Sequence, residues 1–179
     1  VVAPPGNGDP AMNRFSRLFR HVIGEDFVAR RIFSREVRRR IAAAIAEQEK
    51  RHTGELRFVV EGGLPPMAVL GGVTSRERAV NLFSQLGVWD TEANNGVLVY
   101  LLLADRAVEI VADRGIHAKV GEQAWEIICG EMQRAFAEGR FEAGSVAGLQ
   151  AVSDLLSEHF PARPGEANPD ELSNEPTLL

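Results

Sequence analysis

A run of seven apolar residues, Val97 to Leu103, constrains the fold of this 179-residue chain more than any other feature. Branched and aromatic side chains dominate the run, which is typical of a β-strand buried on both faces of a sheet. The segment 104–106 then interrupts it, and from Val108 to Asp113 side chains alternate between two faces. The sequence therefore predicts a tight hairpin from a central strand to a less buried neighbour, with Asp105 and Arg106 serving as its turn and not as chemical groups.

The antiparallel return of this hairpin predicts that two polar segments meet at one end of it. Their carboxylate, amide and imidazole groups suit Ca²⁺ or Mg²⁺ better than zinc, because the chain has no Cys/His ligand set. The spacing is not that of an EF-hand, since Asn95 stands where that loop needs Gly and Leu101 where it needs a bidentate acid. The candidate ligands are Asp90, Glu92, Asn94, Asn95, Asp113 and His117, with Arg114 beside them.

The remainder of the chain reads as helices and strands in alternation. Ser34 is the predicted N-cap of one helix, and Thr74 with Glu77 has the spacing of a capping box at the start of another. A helix between two strands predicts parallel pairing with a right-handed crossover, and therefore an α/β/α sandwich with a small mixed sheet. The expected segments are helices over 35–51, 74–87, 122–138 and 143–160, a strand over 56–60 and a loop over 64–73.

The hairpin also resembles the signature of the TPM-domain family. Its matching elements occur in order as Asn94 to Val99, the turn 104–106 and Asp113 to Ile116, and an aromatic-acidic-small-Gly element follows at Phe141 to Gly144. The resemblance covers roughly Arg35 to Phe160. It implies a three-layer sandwich of the TPM type.

The same resemblance implies a divalent-cation site and, as reported for some members, acid phosphatase activity. In such domains, acidic residues of the three elements gather the cation. Here Asn94 stands where Asp is common and His117 where Glu is common, whereas Glu142 keeps the acid of the third element. Because two departures remove negative charge, we expect a weak Ca²⁺ or Mg²⁺ site or none, with Glu142 as a further candidate ligand and no organic cofactor.

Charge is distributed unevenly along the chain. Met12 to Arg51 contains eleven basic and five acidic residues, whereas Asp154 to the end contains six acidic residues and one Arg. A basic amphipathic arm either packs on the domain or contacts a protein partner or an anionic membrane surface. The expected organisation is a disordered leader or cloning remnant (1–11), a helical arm (12–33), a TPM-like domain (34–160) and a disordered acidic tail (161–179).

Several classes of function are disfavoured by composition and motifs. The net charge of −5 argues against nucleic acid as a partner. Cys129 is the only cysteine, so no internal disulfide forms, and it is expected to be a buried structural thiol. No apolar stretch is long enough to span a bilayer and no secretory signal is visible, so we expect a cytoplasmic location. The common hydrolase and nucleotide-binding motifs are absent as well.

Three functional hypotheses follow from these observations. The first is a non-enzymatic or vestigially enzymatic module with a polar site, able to bind a cation, at one end of the hairpin. The second is a metal-assisted acid phosphatase in which Asp113 orients water and Arg114 supplies positive charge. The third is a peripheral membrane-associated assembly or repair factor that uses the basic arm. The oligomeric state is left open by the sequence.

Overall fold

A mixed sheet organises the computed structural model, which describes residues 14–22, 25–162 and 172–179. In these ranges it has four strands in the spatial order β3-β2-β1-β4: β1 Leu56–Glu61, β2 Val97–Leu102, β3 Ala107–Ala112 and β4 Thr177–Leu178. β1 pairs in parallel with β2 and with β4, and β2 pairs antiparallel with β3. The predicted hairpin is confirmed. All six residues of β2 are buried, and Arg106 adopts a positive φ of 52° in the turn.

Helices cover both faces of the sheet. Those in the described ranges are α1 Arg14–Val22, α2 Glu25–Ile32, α3 Arg35–Glu49, α4 Pro66–Leu70, α5 Ser75–Gln85, α6 Arg114–Val120, α7 Glu122–Ala137 and α8 Phe141–His159. None of the helices in the part of the chain that the structure describes is long and apolar enough to cross a membrane.

The core forms two layers because successive side chains of β2 point to opposite faces. Val97, Val99 and Leu101 pack with residues of α2, α3, α6, α7 and α8. Leu98, Tyr100 and Leu102 pack on the other face with residues of α1, α4 and α5. Burying such side chains is worth roughly 1.5–3 kcal/mol each, which explains why an unbroken apolar run forms the central strand. The predicted α/β/α sandwich is confirmed.

Capping residues fix where two of the helices begin. The Ser34 hydroxyl accepts a hydrogen bond from the Val37 backbone N–H at 3.3 Å, at the start of α3. Thr74 and Glu77 form the predicted capping box: the Thr74 hydroxyl accepts from Glu77 N, and the Glu77 carboxylate accepts from Thr74 N at 2.8 Å. These bonds lower the pKa of Glu77. Both helix starts lie where the sequence predicts them.

The structure corrects two expectations. The region 64–73, expected to be a loop, contains the short helix α4, with Pro66 at its first position, where no intrahelical N–H bond is lost. The tail, expected to be disordered over 161–179, forms β4 within residues 172–179. Without β4, the edge of β1 would present unpaired backbone groups. Arg57 reinforces the pairing by donating to the Thr177 hydroxyl at 2.7 Å. Residues 163–171 and the predicted leader 1–11 lie outside the described residues.

Candidate functional site

The candidate site lies where the hairpin strands end opposite the turn; we call residues 90–96 and 113–117 the hairpin end. Val97 pairs with Ala112, so Asp113 follows directly beside Gly96 and donates its backbone N–H to the Gly96 carbonyl at 2.9 Å. The Ile116 backbone N–H donates to the Asn94 carbonyl at 3.3 Å. Chain reversal at the turn therefore brings Asp113 alongside the asparagine pair, as the hairpin register requires.

Asn95 ties the hairpin end to the segment before β1. Its side chain is 1% exposed and donates to the Thr53 carbonyl at 3.1 Å, while its backbone N–H donates to the Thr91 hydroxyl. The amide nitrogen of Asn95 is thus used inside the fold. This explains an asparagine at this position without any ligand.

Asn94 and Gly115 form a close backbone contact of the site. Asn94 has a positive φ of 51°, a conformation that asparagine tolerates better than most residues. Its side-chain oxygen accepts from Arg114 Nε at 3.2 Å. A Cβ on Gly115 would lie 2.5 Å from the Asn94 carbonyl oxygen, so only glycine fits there without displacement. Arg114 and Gly115 together hold the loop at the start of β2 against α6.

Asp113 is the N-cap of α6 and has one uncommitted oxygen. Its Oδ1 accepts from the Arg114 backbone N–H at 2.6 Å. Its Oδ2 is buried and has no hydrogen-bond partner among the described residues. A buried carboxylate oxygen without a partner is costly, so this atom is a point where a water molecule or a cation would be stabilising.

The remaining ligands predicted near Asp113 are more open to solvent. Asp90 and Glu92 are exposed on the loop before β2, next to the half-exposed Trp89, and His117 is partly buried on α6. Within the described ranges, no three carboxylate, imidazole or thiol side chains stand close enough together to hold a metal ion. The hairpin end therefore gathers polar groups without assembling a closed coordination shell.

Glu142 lies apart from the hairpin end. It belongs to the first turn of α8 and pairs with Arg40 of α3, with 2.7 Å between Arg40 Nε and the carboxylate. The hairpin side contacts the opposite end of α8, where Lys119 of α6 donates to the His159 carbonyl. At 1.5 Å per helical residue, Glu142 and His159 are about 25 Å apart. The structure therefore does not bring Glu142 together with Asp113.

A partly buried charge cluster at the other end of the hairpin was not predicted from the sequence. We call Asp105 together with the groups that cover it, Arg17 and His21 of α1, the turn end. Asp105 accepts from Arg17 Nη2 at 2.8 Å and from His21 Nε2 at 3.1 Å. The other ring nitrogen of His21 accepts from the Leu64 backbone N–H, which assigns the ring proton to Nε2. Burial would raise the pKa of Asp105, but the bonds from His21 and Arg17 outweigh it and hold that pKa well below its usual range.

A second buried cluster joins β1, β2 and α5. Arg78 donates to both oxygens of Glu61, at 2.9 and 2.8 Å, and Tyr100 donates its hydroxyl to the same carboxylate at 2.6 Å. Burial and the neighbouring Glu61 charge raise the pKa of Tyr100 far above its usual value. The sequence signal was weak, because Glu61 reads as the polar residue that closes a strand.

A serine–histidine pair lies beneath the hairpin end. Ser153 donates to His52 Nε2 at 2.6 Å, and His52 Nδ1 donates to the Gly54 carbonyl at 2.9 Å. In hydrolases, a serine nucleophile and a histidine base are hydrogen-bonded in the same way. Both residues, however, are fully buried, so no substrate reaches the hydroxyl. Burial is the main cause that lowers the pKa of His52 to about 4, and the pair serves to satisfy polar groups in the core.

Cys129 on α7 is partly buried. Burial and, to a smaller extent, the charge of Glu109 raise the pKa of its thiol to about 12. The thiol is therefore protonated at neutral pH, and a protonated thiol is a poor nucleophile and a poor metal ligand.

Comparison with known proteins assigns the fold to a family. A family profile described as TPM domain matches residues 28–155. The chain is also similar to BA42 protein from the psychrophilic bacterium Bizionia argentinensis, whose structure was determined by NMR; the identity is 28%, the TM-score is 0.69, and the match covers 80% of this chain and 92% of BA42. No curated protein matches the chain. Since the profile spans well over half of the sequence, the chain belongs to the TPM-domain family.

Proposed function

We propose that this TPM domain is a non-enzymatic binding module whose hairpin end takes a divalent cation, Ca²⁺ or Mg²⁺, with low affinity. One observation carries the proposal: the Oδ2 atom of Asp113 is buried and unpartnered among the described residues, beside a loop that presents two further carboxylates. Oxygen ligands of this type suit hard cations. With Asn94 bound to Arg114 and Asn95 bound to Thr53, few ligands are left for the cation, so we expect a dissociation constant on the order of 1 mM.

The arrangement of the polar groups in the described residues favours a binding role over a hydrolytic one. Phosphoryl transfer needs a nucleophile or activated water together with cationic groups aimed at the phosphate. In the described part of the chain, the histidine–serine pair is sealed in the core, and the Arg114 guanidinium is already hydrogen-bonded to Asn94. The rival hypothesis, a metal-assisted phosphatase that uses Asp113 and Arg114, is retained as an outcome of the experiment.

The experiment is a titration of Ca²⁺ and of Mg²⁺ followed by backbone NMR, together with an assay of phosphomonoester hydrolysis. Asp113→Asn is the informative variant, because asparagine also caps a helix and only the charge is lost. We expect chemical-shift changes confined to residues 90–95 and 113–117, and no hydrolysis of phosphomonoesters. Asp113→Asn should weaken the affinity for the cation about tenfold. Glu142→Gln is the matched control and should leave the titration unchanged, since Glu142 lies at the far end of α8.

Two results would overturn the proposal. If neither cation moves the resonances of the hairpin end, the cation site does not exist. If the protein hydrolyses phosphomonoesters and Asp113→Asn abolishes turnover, the domain is an enzyme and the rival hypothesis replaces ours.

A further inference from the structure

The outer faces of three short helices carry an unusual share of the exposed apolar side chains. α1 and α2 are held to the domain by their inner faces, through Leu18 and His21 on α1 and through Ala29 and Ile32 on α2. Of ten large apolar side chains that are exposed among the described residues, six lie on α1, α2 and α4. We call these six the arm surface: Phe19, Val22, Phe27, Val28, Met67 and Leu70.

The helices that carry the arm surface are in contact with one another. α1 packs against both α2 and α4. A Cβ on Gly63, in the segment before α4, would lie 2.6 Å from the His21 carbonyl oxygen, so the end of α1 lies directly on that segment. The most exposed members are Met67 at 78%, Phe27 at 71% and Phe19 at 66%. The exposed side chains therefore belong to helices joined through α1, with α1 and α4 packed on one face of the sheet and α2 on the other.

Positive charge accompanies these apolar side chains. Residues 14–40 contain nine arginines, no lysine and three acidic residues, although the whole chain has a net charge of −5. Arg30 and Arg31 follow Phe27 at the i+3 and i+4 positions of α2, and both are exposed. Residues at this spacing share one side of a helix. Phe27 is thus flanked by two guanidinium groups on the outer side of α2.

We propose that the arm surface docks onto an anionic phospholipid membrane. A bilayer offers negative charge at its surface and an apolar layer a few ångströms below, which matches arginines beside exposed Phe and Met side chains. A nucleic acid would attract the arginines but would leave the apolar side chains in water. A second copy of the chain would bring Arg30 and Arg31 close to the same two arginines of its partner, so self-association through this surface is disfavoured.

The binding mode follows from the size of the helices. α1 and α2 have nine and eight residues, so each buries little apolar area and the electrostatic contribution is required as well. The helices would lie in the headgroup region with Phe19 and Phe27 inserted and the arginines near the lipid phosphates. Attachment of this kind is reversible and depends on the content of anionic lipid.

The test is co-sedimentation of the full chain with vesicles of phosphatidylcholine alone and of phosphatidylcholine with an equimolar amount of phosphatidylserine. We expect binding only to the second kind. It should be lost when ionic strength rises from about 0.1 M to about 1 M, because the Debye length falls from about 10 Å to about 3 Å. Phe19→Ser combined with Phe27→Ser should lower the partition coefficient by about tenfold per ring. Arg30→Gln combined with Arg31→Gln should lower it by about fivefold per arginine.

Val80→Ser combined with Ile127→Ser is the matched control, because these exposed apolar residues lie on α5 and α7, away from the arm surface. The control should bind like the wild type, and far-ultraviolet circular dichroism should show that every variant is folded. The proposal is overturned if the chain ignores anionic vesicles, if the control loses as much binding as the paired Phe variant, or if the Phe variant turns an oligomer into a monomer. The last result would assign the arm surface to contact between copies.

Discussion

The two ends of the β2–β3 hairpin are both polar, yet they are built in opposite ways. At the turn end, Asp105 is 14% exposed in its side chain and lies under α1, where the Arg17 guanidinium balances its charge and His21 donates a hydrogen bond to it. At the hairpin end, Asp90 and Glu92 are exposed, and Asp113 serves mainly as a helix cap. In the sequence, the hairpin end resembles a binding site, yet its side chains make few strong interactions. The turn end resembles a simple turn, yet its ion pair and hydrogen bonds are stronger than those of the hairpin end. The consequence of a polar residue thus depends on which element covers it.

The largest expected effect tests the contrast directly. Asp105→Ala removes the carboxylate that pairs with the largely buried Arg17 and accepts from buried His21, and we expect the free energy of unfolding to fall by about 3 kcal/mol, because the Arg17 charge is left uncompensated. Asp90→Ala at the hairpin end should change it by less than about 0.5 kcal/mol. Urea denaturation measures both. If the two variants lose the same free energy of unfolding, the two ends of the hairpin do not differ in the way described above.

A pH effect of about 3 kcal/mol is expected from His52, which lies beneath the hairpin end. The pKa of His52 is about 4 in the folded protein, against about 6.5 when unfolded. The unfolded state therefore binds more protons between these values. The contribution of His52 to the free energy of unfolding is therefore fully present above pH 6.5 and is lost as the pH falls toward 4.

Urea midpoints measured between pH 7 and pH 4 should show that His52→Gln removes this part of the pH dependence, whereas His117→Gln retains it. The two histidines form a matched pair, since one is sealed in the core and the other is only partly buried on α6. If the slope survives in His52→Gln, another group is responsible.

The smallest expected effects sharpen the description of the hairpin end. Gly115→Ala places a methyl group 2.5 Å from the Asn94 carbonyl oxygen, and a net loss of about 1–2 kcal/mol should result. Gly130→Ala in α7 meets nothing within 4 Å and should gain up to about 1 kcal/mol, because alanine is the better helix former. Thermal unfolding of both variants checks the signs. A neutral Gly115→Ala would mean that the loop and α6 are not tightly packed.

Local patterns made a large part of the fold predictable. The seven-residue apolar run, the alternation after it and the capping box at Thr74 each act over a few residues, and each appears in the structure where it was expected. The register of the hairpin follows from the same patterns, which is why the approach of Asp113 to Asn94 could be foreseen. Hydrophobic periodicity and turn residues predict interactions between residues that are close in sequence.

Contacts between distant segments were not predictable in the same way. Arg17 and Asp105 are 88 positions apart, and nothing near either residue indicates the other. Glu142 was expected at the hairpin end, but the length of α8 separates it from Asp113. Likewise, the polar composition of the tail indicated disorder, while the open edge of β1 provides backbone partners for Thr177 and Leu178. Pairing of this kind depends on which surfaces meet after folding, and composition does not report it.

The pairing of β4 with β1 also has a consequence for biosynthesis. Arg57 and Thr177 are separated by 120 residues, so the ribosome releases β1 long before its outer neighbour. At 5–20 residues per second, translation takes roughly 6–24 s to cover that distance. Throughout this interval, the nascent chain presents the backbone of β1 as a template for unwanted pairing with other polypeptides. The yield of native protein should accordingly depend on translation rate and on chaperones that shield emerging strands.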